Sequence, residues 1–269
     1  MIVIGEKING FIPKTLAAIE SRDENYIKEI AAAQDQNGAD FIDICAGVAT
    51  EIELETMEWL IDLVQGATSK PLCLDSSSPA ILLETMKMVS KPGVLNSVSL
   101  EEEDGLSKCD VIFPAIAGTG WKVVALTVDT TGIPESSEDK AAAAGKMIDQ
   151  AASFGIEQDR LFIDLVVTTL ATKQDSLQNF TDAIKIVHAK YPEVHFTSGL
   201  SNISYGMPFR KSINTQFLAL AMQAGMDSAI MDPLSSDMQA TLYATNALLG
   251  RDEYCMEYLQ AYRDGIFGR

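Results

Sequence analysis

The chain has 269 residues, 47% of them hydrophobic, and carries a formal net charge of −18 at pH 7. Such a charge argues against nucleic-acid binding, because phosphates are held by clusters of lysine and arginine. No apolar run approaches the ~20 residues that a membrane-spanning helix needs. The residues after Met1 include neither a basic region nor a small-residue cleavage site. We therefore expect a cytoplasmic protein with no signal peptide.

The cysteines and histidines argue against a metal site. Cys45, Cys73, Cys109 and Cys255 are widely spaced and form no CxxC pair, and the chain has only 2 histidines. Protein zinc sites draw on cysteine and histidine ligands at short, regular spacings. We expect reduced thiols and no bound metal.

Short strand-like runs alternate with longer helical patterns along the whole chain. The runs cover residues 2–5, 40–45, 71–75, 94–97, 123–128, 161–166, 195–200 and 228–231. The helical patterns, whose apolar residues recur every three or four positions, cover 26–37, 53–68, 79–90, 137–154, 177–190, 214–224 and 237–249. This alternation predicts an α/β fold, a single (β/α)₈ TIM barrel that spans residues 1–269. One further helix is predicted after about residue 250, within 252–265.

A doubly wound open sheet is the alternative fold for such an alternating pattern. It would normally show a glycine-rich phosphate loop after its first strand. Residues 5–10 do not have the GxGxxG spacing of that loop. The barrel is therefore the preferred prediction.

The run at 71–75 ends in a carboxylate, Asp75, just before a helix start. Alternate residues of a strand face opposite ways, so Cys73 and Asp75 share one face. In a parallel barrel this face points inwards, and active sites lie at the carboxyl ends of the strands. For a single strand taken alone, a helix cap or turn is the preferred explanation of the aspartate.

The same feature recurs at the other strand ends. Polar residues end or follow the runs at Glu6, Asn9, Asp43, Asp75, Asn96, Asp129, Asp164, Asn202 and Asp232. Buried carboxylates are unfavourable unless they meet donors, and Lys7 is the only basic residue near the strand ends of the first half. The set therefore favours a ligand rich in N–H donors. The 2-amino-pyrimidinone ring of a pterin or guanine offers an N–H and an NH₂ that one carboxylate can accept as a pair.

Several stretches, taken in their order, resemble a known family. They are residues 4–10, 57–60, 72–76, 95–97, 131–134, 162–164 and 199–204. Together they resemble the cobalamin-linked methyltetrahydrofolate methyltransferases, a branch of the pterin-binding barrels that also includes dihydropteroate synthase. The likeness covers essentially the whole chain and is greatest to stand-alone enzymes. These enzymes move a methyl group between tetrahydrofolate and a separate corrinoid protein.

The resemblance implies roles for particular residues. It implies that Asp75, Asn96 and Asp164 hold the pterin ring, with Gly199 and Ser201 also in the binding site. It implies further that Asn202 lies near N5 of the pterin, the nitrogen that carries the methyl group. An amide there can donate a hydrogen bond as the N5–methyl bond breaks, which makes Asn202 the predicted catalytic residue. Without the resemblance, a cap or turn would be the preferred role for Asn202.

A second group of residues is predicted for the rim of the site. These are Glu6, Asn9, Asp43, Tyr205, Arg210 and Asp232. The sequence departs from the family pattern at Cys45, where the family often has asparagine, and at Tyr205, where it has glutamine. It also departs at Asp129 and Thr130, which stand where the family has an Asn-Lys pair. Cys45 is predicted to be a small buried filler, because no histidine is placed to activate its thiol.

The resemblance implies methyl transfer in either direction, with anaerobic one-carbon or demethylation metabolism as the expected setting. Tetrahydrofolate and 5-methyltetrahydrofolate are the expected substrates. A chain of 269 residues has no room for cobalamin and homocysteine domains, so a partner corrinoid protein is expected to carry the cobalamin. We also expect a homodimer, because the last segment is rich in apolar residues: Tyr254, Met256, Tyr258, Leu259, Tyr262, Ile266 and Phe267.

Two alternatives belong to other reactions or classes. Dihydropteroate synthase must hold a pyrophosphate leaving group, and residues 231–237 contain no lysine or arginine for that purpose. A non-catalytic folate-binding or corrinoid-docking module is the second alternative. The intact set of polar strand ends favours catalysis over simple binding.

Overall fold

The computed structural model describes residues 1–267 and contains a barrel of parallel strands surrounded by helices. Its strands are β1 (Ile2–Asn9), β2 (Phe41–Cys45), β3 (Leu72–Asp75), β4 (Val94–Leu100), β5 (Glu102–Glu103), β6 (Leu106–Ser107), β7 (Lys122–Asp129), β8 (Leu161–Asp164), β9 (His195–Thr197) and β10 (Ser228–Met231). Its α-helices are α1 (Pro13–Glu20), α2 (Glu24–Gln36), α3 (Thr50–Ala67), α4 (Pro79–Thr85), α5 (Lys108–Ile116), α6 (Ser137–Ser153), α7 (Ser176–Lys190), α8 (Arg210–Ala224), α9 (Ser236–Leu248) and α10 (Met256–Arg263).

The parallel strands close into a barrel. Their order is β10-β1-β2-β3-β4-β7-β8-β9, so that sequence neighbours are also spatial neighbours. The ring closes between β9 and β10, where Ile230 N donates to Ser198 O at 3.0 Å and Gly199 pairs with Ile230. β5 and β6 form a separate antiparallel hairpin after β4. The predicted (β/α)₈ barrel is therefore confirmed.

The core has two layers, as the alternation of strand side chains requires. The outward-facing residues pack against the helices in one large hydrophobic cluster. The inward-facing residues form a second cluster inside the barrel, made of Ile4, Cys73, Val94, Val124 and Phe162. One step further along β1, β3, β4 and β8, the inward position is polar, whereas on β7 it is the apolar Leu126. The barrel is thus filled by apolar side chains below and opens into a polar mouth at the carboxyl ends of its strands.

Several boundaries differ from the predicted ones, each for a local reason. β1 runs to Asn9, past the predicted end at residue 5, because an irregularity between Gly5 and Ile8 lets it continue along β2. β8 stops at Asp164 because the chain turns sharply there, with Val166 at φ 47°. Helix α1 starts at Pro13 and was not predicted. Helix α5, also not predicted, starts with the Ser107–Asp110 capping box, a signal that the sequence contains.

The segment after α9 contains a 3₁₀ turn, Glu253–Cys255, and then α10. Asp252 caps this helix through its two carboxylate oxygens, which accept from Glu257 N at 3.0 Å and Tyr258 N at 2.9 Å. Of the apolar residues predicted to be exposed here, Phe267 instead packs near Tyr258, with 5.1 Å between the ring centroids. Over residues 1–267, no helix has the length and apolar character to cross a membrane.

Candidate functional site at the barrel mouth

Three strand-end residues predicted for pterin binding or the rim lie side by side on β2, β3 and β4. In the strand register, Asp43 pairs with Cys73, and Asp75 pairs with both Cys45 and Asn96. All five share the inward parity of the barrel cluster. Two carboxylates, an amide and two thiols therefore meet in one patch of the mouth.

Asp43 is the more deeply buried of the two carboxylates in this patch. It is 1% exposed, and its Oδ1 has no hydrogen-bond partner in the described part of the chain. Burial raises the pKa of Asp43 well above its usual range, and the Asp75 carboxylate raises it further, while the Cys73 thiol and the Asn96 amide oppose this. A buried acceptor without a donor is unfavourable, so this oxygen is suited to accept a hydrogen bond from a ligand. The sequence placed Asp43 at the rim, whereas it lies on the floor of the mouth.

Asp75 is the more accessible of the two carboxylates. Burial raises the pKa of Asp75 from 3.8 to about 6, the Cys45 thiol lowers it by hydrogen bonding, and Glu53 raises it. The Cys45 side chain is buried, as the sequence predicted, and Cys45 pairs with Asp75 in the strand register. Glu53 on α3, which the sequence analysis missed, accepts from Ser76 Oγ at 2.6 Å and adds negative charge beside the site.

Asp164 occupies the end of β8, at the same end of the barrel. It is 6% exposed, and its Oδ1 accepts from Val166 N at 2.8 Å. Burial raises the pKa of Asp164 from 3.8 to about 6, while the backbone N–H groups of Val166 and Gly199 and the charge of Lys140 lower it. Asp164 is therefore held in place by the backbone of the turn that follows β8.

Lys140 is a buried cation at the mouth that the sequence analysis missed. It is 4% exposed on α6, and its Nζ donates to Leu165 O and Val166 O, both at 2.8 Å. Burial lowers the pKa of Lys140 from 10.5 to about 8, with Asp164 opposing the change. A signal was present in the sequence, because Lys140 falls on the apolar face of the predicted helix.

The predicted rim residues of β1 and β10 form an ion-paired group. Lys7 Nζ and Asp232 Oδ2 lie 2.8 Å apart and join the first and last strands of the barrel. Burial and, to a smaller extent, the charge of Asp232 raise the pKa of Glu6 from 4.5 to about 7. The charges of Lys7 and Arg210 oppose this rise. Asn9 is committed to a local turn, in which its Oδ1 accepts from Phe11 N at 2.8 Å.

Asn202 lies in a 3₁₀ helix, Leu200–Ser204, that follows β9. Its side chain is exposed, and a Cβ built on Gly199 would lie 3.2 Å from Asn202 Nδ2. Glycine at position 199 therefore gives the amide room beside the strand end. Arg210 holds this segment, because its Nη2 donates to Ser201 O at 2.7 Å and its Nε to Ser204 Oγ at 3.0 Å.

The remaining predicted rim residue, Tyr205, is 71% exposed at the end of this segment. Asp129, one of the departures from the family pattern, accepts from Thr131 N at 2.8 Å and from Thr131 Oγ1 at 2.6 Å in an exposed turn. Neither residue contributes to the buried acceptor patch.

The chemistry of the mouth is that of a hydrogen-bond acceptor. Its buried floor offers carboxylate and amide oxygens, while Lys7 is engaged by Asp232 and Lys140 by backbone carbonyls. Among residues 1–267, no group of three or more His, Cys, Asp or Glu side chains has a geometry that could hold a metal ion. A planar heterocycle with several N–H donors satisfies such a surface. The fold and the site together define a barrel of the pterin-binding class.

The chain belongs to the family of pterin binding enzymes, whose profile matches residues 17–232. It is 46% identical to the methylcorrinoid:tetrahydrofolate methyltransferase of Eubacterium limosum over 270 aligned positions, which cover 100% of this chain and 98% of the relative. It is also 30% identical to the methionine synthase of Mycobacterium tuberculosis over 86% of this chain, a match that spans 20% of that longer protein.

Solved structures support the fold independently. The dihydropteroate synthase of Xanthomonas albilineans in complex with 7,8-dihydropteroate matches with a TM-score of 0.68 at 19% identity, covering 94% of this chain and 93% of that one. The dihydropteroate synthase of Thermus thermophilus matches with a TM-score of 0.68 at 16% identity, covering 92% and 94%. At these identities the likeness concerns the barrel alone.

Proposed function

We propose that this protein is a methyltransferase that moves a methyl group between N5 of tetrahydrofolate and the cobalt of a corrinoid carried by another protein. The observation that carries the proposal is the acceptor-lined mouth, where Asp43, Asp75, Asn96 and Asp164 lie on four strands of one barrel. The relative named for this reaction aligns with the whole chain, which supports it further.

The proposed pterin site uses acceptors that match the donors of the ring. One carboxylate can accept the N–H and NH₂ of the 2-amino-pyrimidinone edge as a pair, and Asp75 and Asp164 are the candidates. Asn96 pairs with Asp75 in the strand register and can both donate and accept along the same edge. Gly199 and Ser201 complete the proposed site where the backbone turns after β9.

The proposed role of Asn202 follows from the chemistry of N5. When 5-methyltetrahydrofolate gives up its methyl group to cob(I)alamin, the cobalt electron pair forms the Co–C bond and the N5–C bond breaks. N5 keeps the electron pair of that bond and takes up one proton. A positioned amide donor stabilises this nitrogen as its charge changes, more in the transition state than in the bound substrate. The reverse reaction forms the N5–C bond and releases the proton.

The corrinoid must approach the carboxyl-terminal face of the barrel, because the proposed N5 position lies there. Loops on this face carry exposed apolar side chains, including Phe11, Ile133, Tyr205 and Phe209. Such residues suit contact with a partner that docks and leaves. We further propose that this protein is cytoplasmic and that this chain holds no metal of its own.

The proposed homodimer rests on the surface around α9 and α10. Leu248 and Tyr254 are each 85% exposed there, and Tyr262 is 63% exposed. A second copy that covers this face would remove these apolar side chains from water.

The proposed function is tested by starting from 5-methyltetrahydrofolate and chemically reduced cob(I)alamin under anaerobic conditions. We expect methylcob(III)alamin and tetrahydrofolate to form in equal amounts, with many turnovers per protein molecule. Stoichiometric folate binding without turnover would instead identify a folate-binding module. Formation of dihydropteroate from a pterin pyrophosphate and p-aminobenzoate would identify the synthase reaction.

A further inference from the structure

Lys140 is buried beside the candidate site, and the reaction proposed above makes no use of it. It lies on the face of α6 that packs against the barrel, among alanine, methionine and isoleucine side chains. Removing an ammonium group from water is unfavourable unless it meets strong acceptors. A lysine at 4% exposure therefore needs a structural or functional reason for its position.

The ammonium group holds the turn that follows Asp164. Nζ donates to Leu165 O and to Val166 O, the carbonyls of the two peptide groups that flank the Cα of Val166. Val166 itself has φ 47°, in the left-handed region that β-branched residues rarely adopt. Strained conformations of this kind persist where surrounding contacts fix them, and here both flanking carbonyls are fixed by one cation.

The same turn delivers a hydrogen bond to Asp164. The peptide group between Leu165 and Val166 accepts from Lys140 through its oxygen and donates to Asp164 Oδ1 through its N–H, at 2.8 Å in each case. Hydrogen bonds in such a chain polarise one another. The positive charge of Lys140 therefore strengthens the donor that faces the Asp164 carboxylate, in addition to its direct attraction.

Few other charges of the described residues face these two groups. From α6, Lys140 faces Asp164 at the end of β8 and Lys173 in the segment before α7. Lys173 is itself held by Glu135 O, to which its Nζ donates at 2.7 Å. Among the titratable groups within residues 1–267 that act on Asp164, Lys140 is the one that favours its ionised form.

We propose that Lys140 is a positioning residue for the pterin site, which fixes the Val166 turn and keeps the buried Asp164 carboxylate ionised at neutral pH. The identity of the ligand rests on the function proposed above. The effect on Asp164 does not, because it exists in the folate-free protein.

The first test is a pH titration of Asp164 without folate, by carbon-13 NMR of protein labelled at the aspartate carboxyl groups. The Asp164 signal is assigned from its absence in Asp164→Asn. In the unsubstituted protein we expect a midpoint near the Asp164 pKa of about 6. Lys140→Met keeps the apolar stem and removes the charge, and should raise the midpoint by about one pH unit.

Two further variants separate the charge from the fold. Lys146→Met removes a charge at an exposed position of the same helix and should leave the Asp164 midpoint unchanged. Lys140→Gln keeps an N–H donor for the turn without the charge, and should also raise the midpoint. If Lys140→Met does not fold, Lys140→Gln is the variant that tests the proposal. An unchanged midpoint in a folded Lys140 variant would overturn the proposal.

Calorimetry with tetrahydrofolate then connects this effect to binding. We expect Lys140→Gln to bind more weakly by a factor that approaches about tenfold at pH 5.5 and fades by pH 8.5. An equal loss at every pH would show a purely structural role and contradict the proposal. If the midpoint shifts but the unsubstituted protein binds no folate, the proposed function fails and the coupling of Lys140 to Asp164 stands.

Discussion

Replacing Asp75 by asparagine should stabilise the folate-free protein while it weakens folate binding. The substitution keeps the shape of the side chain and removes its charge, and no cation within residues 1–267 is among the groups that shift the pKa of Asp75. Burial raises that pKa from 3.8 to about 6, so the folded state holds the ionised group less well than water does. The charge that a ligand requires therefore destabilises the folate-free protein.

The magnitude follows from the pKa. The protonated form stabilises the folded protein below pH 3.8, and this stability is lost as the pH rises through about 6. Above pH 7 the loss amounts to about 3 kcal/mol. Asp75→Asn should recover up to that amount at pH 8 and about half of it at pH 5. Loss of the Asp75 charge also relieves Asp43, which acts in the same direction.

Urea unfolding at pH 5 and pH 8 measures this gain, and calorimetry measures the binding. Tetrahydrofolate affinity should fall by roughly tenfold to more than a hundredfold, since a lost charge-assisted contact is worth about 1.5–3 kcal/mol. Asp129→Asn is the matched control, a strand-end aspartate whose pKa is lowered by the Thr131 hydroxyl and backbone N–H. It should bring no gain at pH 8. A destabilised Asp75→Asn protein, or unchanged folate affinity, would refute the reasoning.

Three other predictions concern the reaction, its pH dependence and the assembly. Asn202→Ala should lower kcat by about tenfold to a thousandfold with a much smaller loss of folate affinity, because the amide donor matters most in the transition state. Equal losses in kcat and in folate affinity would make Asn202 an ordinary ligand contact. Tetrahydrofolate affinity should fall as the pH drops below about 6, because Asp75 and Asp164 gain protons there. Calorimetry in buffers of different ionisation enthalpy should detect proton release on binding near pH 6. An affinity that does not change with pH would contradict this prediction. Light scattering should give twice the chain mass of 29.1 kDa, and Leu248→Arg should shift it towards the monomer, whereas a monomeric unsubstituted protein would refute the dimer.

Much of the architecture was predictable because strand parity and strand ends are local properties. The inward positions Phe41, Asp43 and Cys45 follow from alternation alone, as do Phe162 and Asp164. Once a closed parallel barrel is predicted, these positions must meet at one end of it. This is why the sequence alone suffices to assign the polar residues of distant segments to one mouth.

The depth of each group and the contacts between elements could not be predicted in the same way. Asp43 was assigned to the rim, yet its neighbours on β3 and β4 bury it on the floor, because burial depends on the stagger of adjacent strands. The meeting of Lys140 with the turn after Asp164 depends on how α6 packs against β7 and α7. The left-handed Val166 has no sequence signal either, since valine is among the residues least expected there.

The most direct measurement of function mixes the purified protein with tetrahydrofolate and methylcob(III)alamin under anaerobic conditions. The cobalamin spectrum and the folate products are followed together. We expect cob(I)alamin and 5-methyltetrahydrofolate to appear in equal amounts, with the Asn202→Ala protein slower by at least about tenfold. Methyl transfer would be contradicted as the function if a folded protein binds tetrahydrofolate but leaves methylcob(III)alamin unchanged. The reverse assay, with 5-methyltetrahydrofolate and cob(I)alamin at the same concentrations, must then also give no product.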